Sequence, residues 1–192
     1  MNAGFVLNSV LLGVGLAMDA FSVSIANALN DPGMKMRRQL LIAGTFAFFQ
    51  FLMPMAGWIC VHTILSYFVV FQRFIPWIAL ILLGWIGGKM LWEGFHPEDG
   101  AAGEKPLSRG TLLLQGVATS IDALSAGFTL ASYEWPAALA ASLIIAAVTH
   151  LICMGGLRIG RRFGERLSQK AGILGGVILI GIGLEIFIKS FL

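Results

Sequence analysis

Gly13-Val-Gly-Leu-Ala-Met-Asp19-Ala20-Phe-Ser22 and Gly116-Val-Ala-Thr-Ser-Ile-Asp122-Ala123-Leu-Ser125 are two versions of one phrase. Gly, Val, Asp, Ala and Ser recur at a constant separation of 103 residues, and each copy sets one aspartate among apolar neighbours. Two weaker echoes follow. Met55-Ala56-Gly57-Trp58 aligns with Met154-Gly155-Gly156-Leu157, and Ile86-Gly87-Gly88-Lys89 with Ile182-Gly183-Leu184-Glu185. The chain therefore reads as a single transmembrane domain over 1–192 built from two related halves. Repeat one covers about 1–96, a linker about 97–108, and repeat two about 109–192.

The medium around those halves follows from composition. Of 192 residues, 57% are hydrophobic and 12% charged, and the mean hydropathy is +0.84. A soluble domain carries about 25% charged residues, so lipid must be the solvent for most of this chain. Six apolar runs are long enough to span a bilayer: Ala3–Leu29, Leu40–Ile64, Phe74–Trp92, Gly110–Tyr133, Trp135–Leu157 and Ala171–Ile188. The fold class expected is an all-α integral membrane protein of six transmembrane helices. Three helices per repeat is an odd number, so the second copy enters the membrane in the opposite sense. That is an inverted-topology repeat, which places substrate near the midplane at the repeat interface.

The first run has no basic segment before it, the first basic residue being Lys35, so it reads as a retained helix and not a cleaved signal peptide. With the N-terminus outside, the cytoplasmic loops hold Lys35, Arg37, Arg38, Lys105, Arg109, Arg158, Arg161, Arg162, Arg166 and Lys170, and the outside keeps Arg73 and Lys189. This bias sets both termini outside. It also accounts for the formal charge of +3 without a nucleic-acid partner. Trp77 and Trp135 then fall near the outer interface and Trp92 near the inner one. Cys60 and Cys153 lie in apolar runs without CxxC spacing and read as buried thiols.

Asp19 and Asp122 carry the functional reading. A charged Asp at the bilayer centre costs about 2.5–3.5 kcal/mol, and its side chain is too short to reach an interface. Each must face protein, water or a cation; the bland alternative is a protonated Asp bonded to a neighbouring helix. Helical spacing places Ser22 beside Asp19, and Thr119 and Ser125 beside Asp122. Two ionised carboxylates balance one divalent cation, and oxygen ligands suit Mg²⁺, Ca²⁺ and Mn²⁺. On the second run, Pro54 removes the helical partner of the Gln50 carbonyl, so Gln50 offers a main-chain and a side-chain oxygen; a simple proline kink is the alternative. His150 is a candidate proton or metal group, with a packing role as its alternative. Lys89 and Glu185 align in the repeat, but inversion separates them in depth. Lys89 reads as reaching toward the cytoplasm, and Glu185 as interfacial, gating or proton-binding. No G-x-x-x-x-G-K-[ST] loop is present, which argues against ATP hydrolysis.

Several of these segments resemble the bacterial manganese efflux pump family, MntP. Met18-Asp19-Ala20-Phe21-Ser22-Val23-Ser24-Ile25 looks like its opening signature, and Phe49-Gln50-Phe51-Leu52-Met53-Pro54-Met55-Ala56-Gly57-Trp58 its second-helix motif. Gly87-Gly88-Lys89-Met90-Leu91-Trp92-Glu93-Gly94-Phe95, Ala118-Thr119-Ser120-Ile121-Asp122-Ala123-Leu124 and Ala171-Gly172-Ile173-Leu174-Gly175-Gly176 are similar to its third, fourth and last helices. The resemblance implies six helices, a multi-pass protein of the bacterial cytoplasmic (inner) membrane, and Mn²⁺ export that depends on the aspartates here numbered Asp19 and Asp122. The Gln50 position is Glu in some relatives. Asn27-Ala28 stands where many relatives have Lys-Gly.

The expected activity is secondary transport: a divalent metal, Mn²⁺, leaves the cytoplasm through a midplane site formed by Asp19, Asp122 and Gln50. Ser22, Thr119, Ser125 and Pro54 support it, and proton exchange is a coupling route. No permanently bound cofactor is expected; Mn²⁺ is cargo, and the partners are the metal ion and the lipid bilayer. The residues fix no oligomeric state. Two other classes stand beside this one. An intramembrane aspartyl protease also pairs two membrane aspartates, although a Gly-x-Gly-Asp motif is missing. A non-transporting membrane assembly subunit is the other.

Overall fold

A backbone in lipid has no water to bond, so each apolar run must satisfy its own N–H and C=O groups, and a helix does this within one segment. The computed structural model describes residues 3–63, 75–95, 108–167 and 171–189. Its described residues form seven helices: α1 (Ala3–Asn30), α2 (Met36–Thr63), α3 (Ile75–Phe95), α4 (Arg109–Thr119), α5 (Ile121–Leu130), α6 (Trp135–Leu167) and α7 (Ala171–Lys189). Three helical stretches, Ala3–Asn30, Met36–Thr63 and Trp135–Phe163, are long and apolar enough among the described residues to cross a membrane. Arg73, Lys105, Lys170 and nearly all of the 97–108 linker lie outside the described residues. So do the side chains of Arg166, Glu185 and Lys189.

The fourth apolar run corrects the sequence reading. A single helix was expected over 110–133, but the run is two helices that meet at Ser120. Ser120 has φ −111° and ψ 10°, and its N–H donates to Val117 O, a tighter turn than the α-helical one. The Thr119 hydroxyl donates to Gln115 O at 2.9 Å and the Ser120 hydroxyl to Gly116 O at 2.7 Å. Two side chains thus occupy carbonyls of the last turn of α4, and α5 starts afresh with Asp122 in its first turn. By contrast α2 runs unbroken through Pro54.

Glycines set which helices meet. A Cβ at Gly13 would lie 3.1 Å from Ile145 Cα and 3.2 Å from Val148 Cβ, one at Gly156 would lie 2.9 Å from Phe21 O, and one at Gly160 2.6 Å from Ile25 O. Those contacts advance together along both helices, so α1 and α6 pack in parallel. Phe49 presses on Gly116, Leu124 O on Gly57, and a Cβ at Gly127 would lie 2.5 Å from Pro54 O. Hence α2 runs parallel to α4 and α5. The third pair is reciprocal: a Cβ at Gly87 would meet Gly176 O at 2.7 Å, and one at Gly176 would meet Gly87 O at 2.7 Å. Gly87 also faces Ile180, and Gly176 faces Leu91, so α3 and α7 are antiparallel. Their crossing lies at Gly87 and Gly176.

Two apolar clusters fill the interior. One includes Ala20, Val23, Ala26, Ile42, Phe46 and Leu157. The other gathers Leu16, Ala123, Ala126, Leu130, Ala141 and Ile145. Aromatic contacts mark one end of the bundle. There Trp58 Nε1 donates to Tyr133 O at 3.0 Å, and its ring meets Trp135 edge-on at 5.3 Å. At the opposite end the turn after α1 is tied down. Arg38 pairs with Asp31 at 3.1 Å, and Arg161 Nε donates to Pro32 O at 2.8 Å.

Candidate functional site

Asp19 and Asp122 are each close in sequence to a residue of the second apolar cluster. Leu16 on α1 and Ala123 on α5 belong to one cluster. Asp19 follows Leu16 by three residues and Asp122 precedes Ala123. Asp19 is half-buried and Asp122 exposed. Asp122 Oδ1 accepts the Ala123 N–H at 2.8 Å, so the carboxylate sits over the opening turn of α5, where backbone N–H groups favour negative charge. Ser125 and Thr129 are exposed as well, and their spacing places them on the Asp122 face of the helix. A strip with a carboxylate in it cannot lie against lipid tails without heavy cost.

Gln50 links the second helix to the first carboxylate's helix. Its side chain is fully buried, and Nε2 donates to Leu16 O at 2.7 Å, one turn before Asp19. The other amide atom, Oε1, is buried with no hydrogen-bond partner among the described residues. An unpaired buried acceptor costs about 1–3 kcal/mol. Pro54, four residues on, is buried where α2 meets α5. Gln50 thus ties α2 to the helix of Asp19, while Pro54, one turn on, meets the helix of Asp122.

The supporting hydroxyls fare differently. Ser22 Oγ donates to Met18 O at 3.1 Å, and Thr119 donates within α4; each retains lone pairs for a cation. Ser125 is exposed on the Asp122 face, and His150 is half-buried on α6. Lys89 is exposed on α3. Among the described residues no three His, Cys, Asp or Glu side chains cluster as a metal-holding group.

Two features escaped the sequence reading. One is the break at Ser120, whose signal is the Thr-Ser pair just before Asp122. The other is a buried amide pair between the halves. Asn27 Nδ2 donates to Gln115 Oε1 at 2.8 Å, and Gln115 Nε2 returns a bond to Asn27 Oδ1 at 3.0 Å. Asn27 thereby closes α1 against α4.

The sequence profile of the family described as "Mntp: Putative manganese efflux pump" matches residues 33–187. The chain belongs to the MntP family. Relatives called "Putative manganese efflux pump MntP" include one from Sorangium cellulosum, 42% identical over 94% of each chain. Others are from Rippkaea orientalis, 40% identical over 97% of each, and Ruminiclostridium cellulolyticum, 41% identical over 94% of each. The profile takes in Gln50, Thr119 and Asp122 but starts after Asp19; the match to the Rippkaea relative reaches Asp19 as well. No solved structure matches the chain. Membership in MntP makes this a multi-pass membrane protein of a transport family and not an enzyme. The protease alternative falls away.

Proposed function

We propose that this chain is a secondary transporter that exports a divalent metal, Mn²⁺, from the cytoplasm across the bacterial inner membrane. The single observation that carries the reading is Gln50. A fully buried amide holds the Leu16 carbonyl of α1 with one end and leaves Oε1 unpaired at the other. The same helix meets the helix of Asp122 one turn later, at Pro54. The ion binds between the two carboxylates with Gln50 Oε1 as a neutral ligand. The break at Ser120 supports this reading, because discontinuous helices at membrane depth occur where they line a cavity.

Alternating access of two inverted three-helix repeats is the mechanism. The packing supports it. The Gly13–Val148 contact and the Gly116–Phe49 contact join repeat-matched residues, and so do Gly156–Phe21 and Gly57–Leu124. The parallel pairing of α1 with α6, and of α2 with α4 and α5, is what six crossings with an inverted second half require. The Asn27–Gln115 pair lies two turns beyond Asp19 on α1 and two turns before Asp122 on α4. With both termini outside, that is the cytoplasmic side, and it seals the site from within. The exposed Asp122–Thr129 strip then forms the way out. Protons and metal compete for the same carboxylate oxygens, so a proton entering from outside helps release the ion. Ser22, Thr119 and Ser125 line the route; His150 and Glu185 serve as proton or gating groups.

The test is Mn²⁺ tolerance in a strain lacking its own exporter. Asp19→Asn and Asp122→Asn should each abolish protection while reaching the membrane at wild-type levels. Full protection by either variant rejects the two-carboxylate site.

A further inference from the structure

Serine and threonine hydroxyls inside helices commonly bond the carbonyl one turn earlier. Ser9, Thr45, Thr119, Ser120 and Ser142 all do so here. Thr149 does not. It is fully buried on α6, and its Oγ1 has no hydrogen-bond partner among the described residues. The remedy lies one χ1 rotation away, since threonine in a helix can turn its hydroxyl onto the i−4 carbonyl. A buried hydroxyl that leaves that bond unmade costs about 1–3 kcal/mol. Of the other buried oxygens in this condition, Ser24 Oγ lies beside the Cys153 thiol, and Gln39 Oε1 sits near the turn after α1. The remaining one is Gln50 Oε1.

Gln50 and Thr149 hold equivalent places. The residue before each packs on a glycine of the neighbouring span: Phe49 on Gly116, and Val148 on Gly13. Those glycines head the two copies of the aspartate phrase. Seven residues after each stands a glycine, Gly57 or Gly156, that receives a carbonyl from the span bearing an aspartate. Gln50 bonds the carbonyl of Leu16, whose repeat mate is Thr119. In the same correspondence Thr149 pairs with Thr119, which ends α4 just before the helix of Asp122.

We propose that Thr149 supplies a neutral oxygen to the divalent-cation site as the counterpart of Gln50. Each half then gives one carboxylate and one neutral oxygen: Asp19 with Gln50, and Asp122 with Thr149. The inference rests on the two-carboxylate reading above and extends it. A hydroxyl oxygen that carries no protein bond is available to a hard cation without first breaking one.

Purified full-length protein in detergent, titrated with MnCl₂ while its thermal unfolding is followed, tests this. Wild type and Thr149→Ser should be stabilised at the same MnCl₂ concentration. Thr149→Val should need about ten times more, the lower end of what a lost contact costs a metal site. Its metal-free Tm should not fall, because replacing an unpaired buried hydroxyl by an isosteric methyl removes a penalty. If the valine variant does not fold, Thr149→Ala carries the same expectation for MnCl₂ response. A hydroxyl-free variant that responds at the wild-type concentration overturns the assignment of Thr149 alone. A wild-type protein indifferent to MnCl₂ overturns the two-carboxylate site itself.

Discussion

Replacing Gly127 by Ala should disturb the site through packing alone. A Cβ there would stand 2.5 Å from Pro54 O and 2.6 Å from Gly57 Cα. Ordinary contact begins near 3.4 Å, so α5 must retreat from α2 by about 0.9 Å. Both obstacles are backbone atoms, and no side chain can swing aside. Gly127 shares the ten-residue helix α5 with Asp122, so the carboxylate moves with it. Overpacking of this kind costs about 1–3 kcal/mol, and a displacement near 1 Å at a working centre costs about 100-fold in rate. Gly155 is the control: a Cβ there meets nothing within 4 Å, and alanine in a helix gains about 0.5–1 kcal/mol over glycine. Reversible unfolding in mixed micelles, read beside Mn²⁺ export, separates the two. Gly127→Ala should lose stability and export; Gly155→Ala should keep both. Equal stability in the two variants, with export intact, would refute the close approach of α2 and α5.

Truncating Asn27 or Gln115 alone to Ala leaves the other buried amide unpaired, so each single change should cost about 1–3 kcal/mol. The double variant should cost less than their sum, by about 1 kcal/mol in an unfolding cycle; strict additivity contradicts the bonded pair. Gln50→Leu keeps the volume and removes both the bond to Leu16 and the unpaired oxygen. Its stability should stay within about 1.5 kcal/mol of wild type, while the MnCl₂ needed for thermal protection rises about tenfold or more. Equal losses in stability and metal response would mark Gln50 as a packing residue.

Much of the fold was legible because lipid makes the rules strict. Runs of apolar residues between charged loops have one way to satisfy their backbone, and the helices begin and end near the expected limits, apart from ends that run beyond the apolar stretches, such as Met36–Gln39 and Arg158–Leu167. The break at Ser120 was not legible as a break. Thr119, Ser120 and Ile121 all tolerate a helix, and only the placement of two hydroxyls on Gln115 O and Gly116 O ends α4 there. Gln50 was legible as a polar group beside a proline, but its donor to Leu16 and its idle acceptor required coordinates. Asn27 and Gln115 stand 88 residues apart. In the repeat alignment they match Leu130 and Leu12, so the symmetry that exposed the aspartates concealed this pair.

Flux of Mn²⁺ through the purified protein in sealed liposomes tests the central claim most directly. Wild type should move Mn²⁺ faster than protein-free vesicles, with an imposed pH gradient accelerating it. Asp19→Asn and Asp122→Asn, incorporated to the same density, should fall to the protein-free rate. Wild-type flux through either asparagine variant contradicts a passage that holds the ion between two carboxylates.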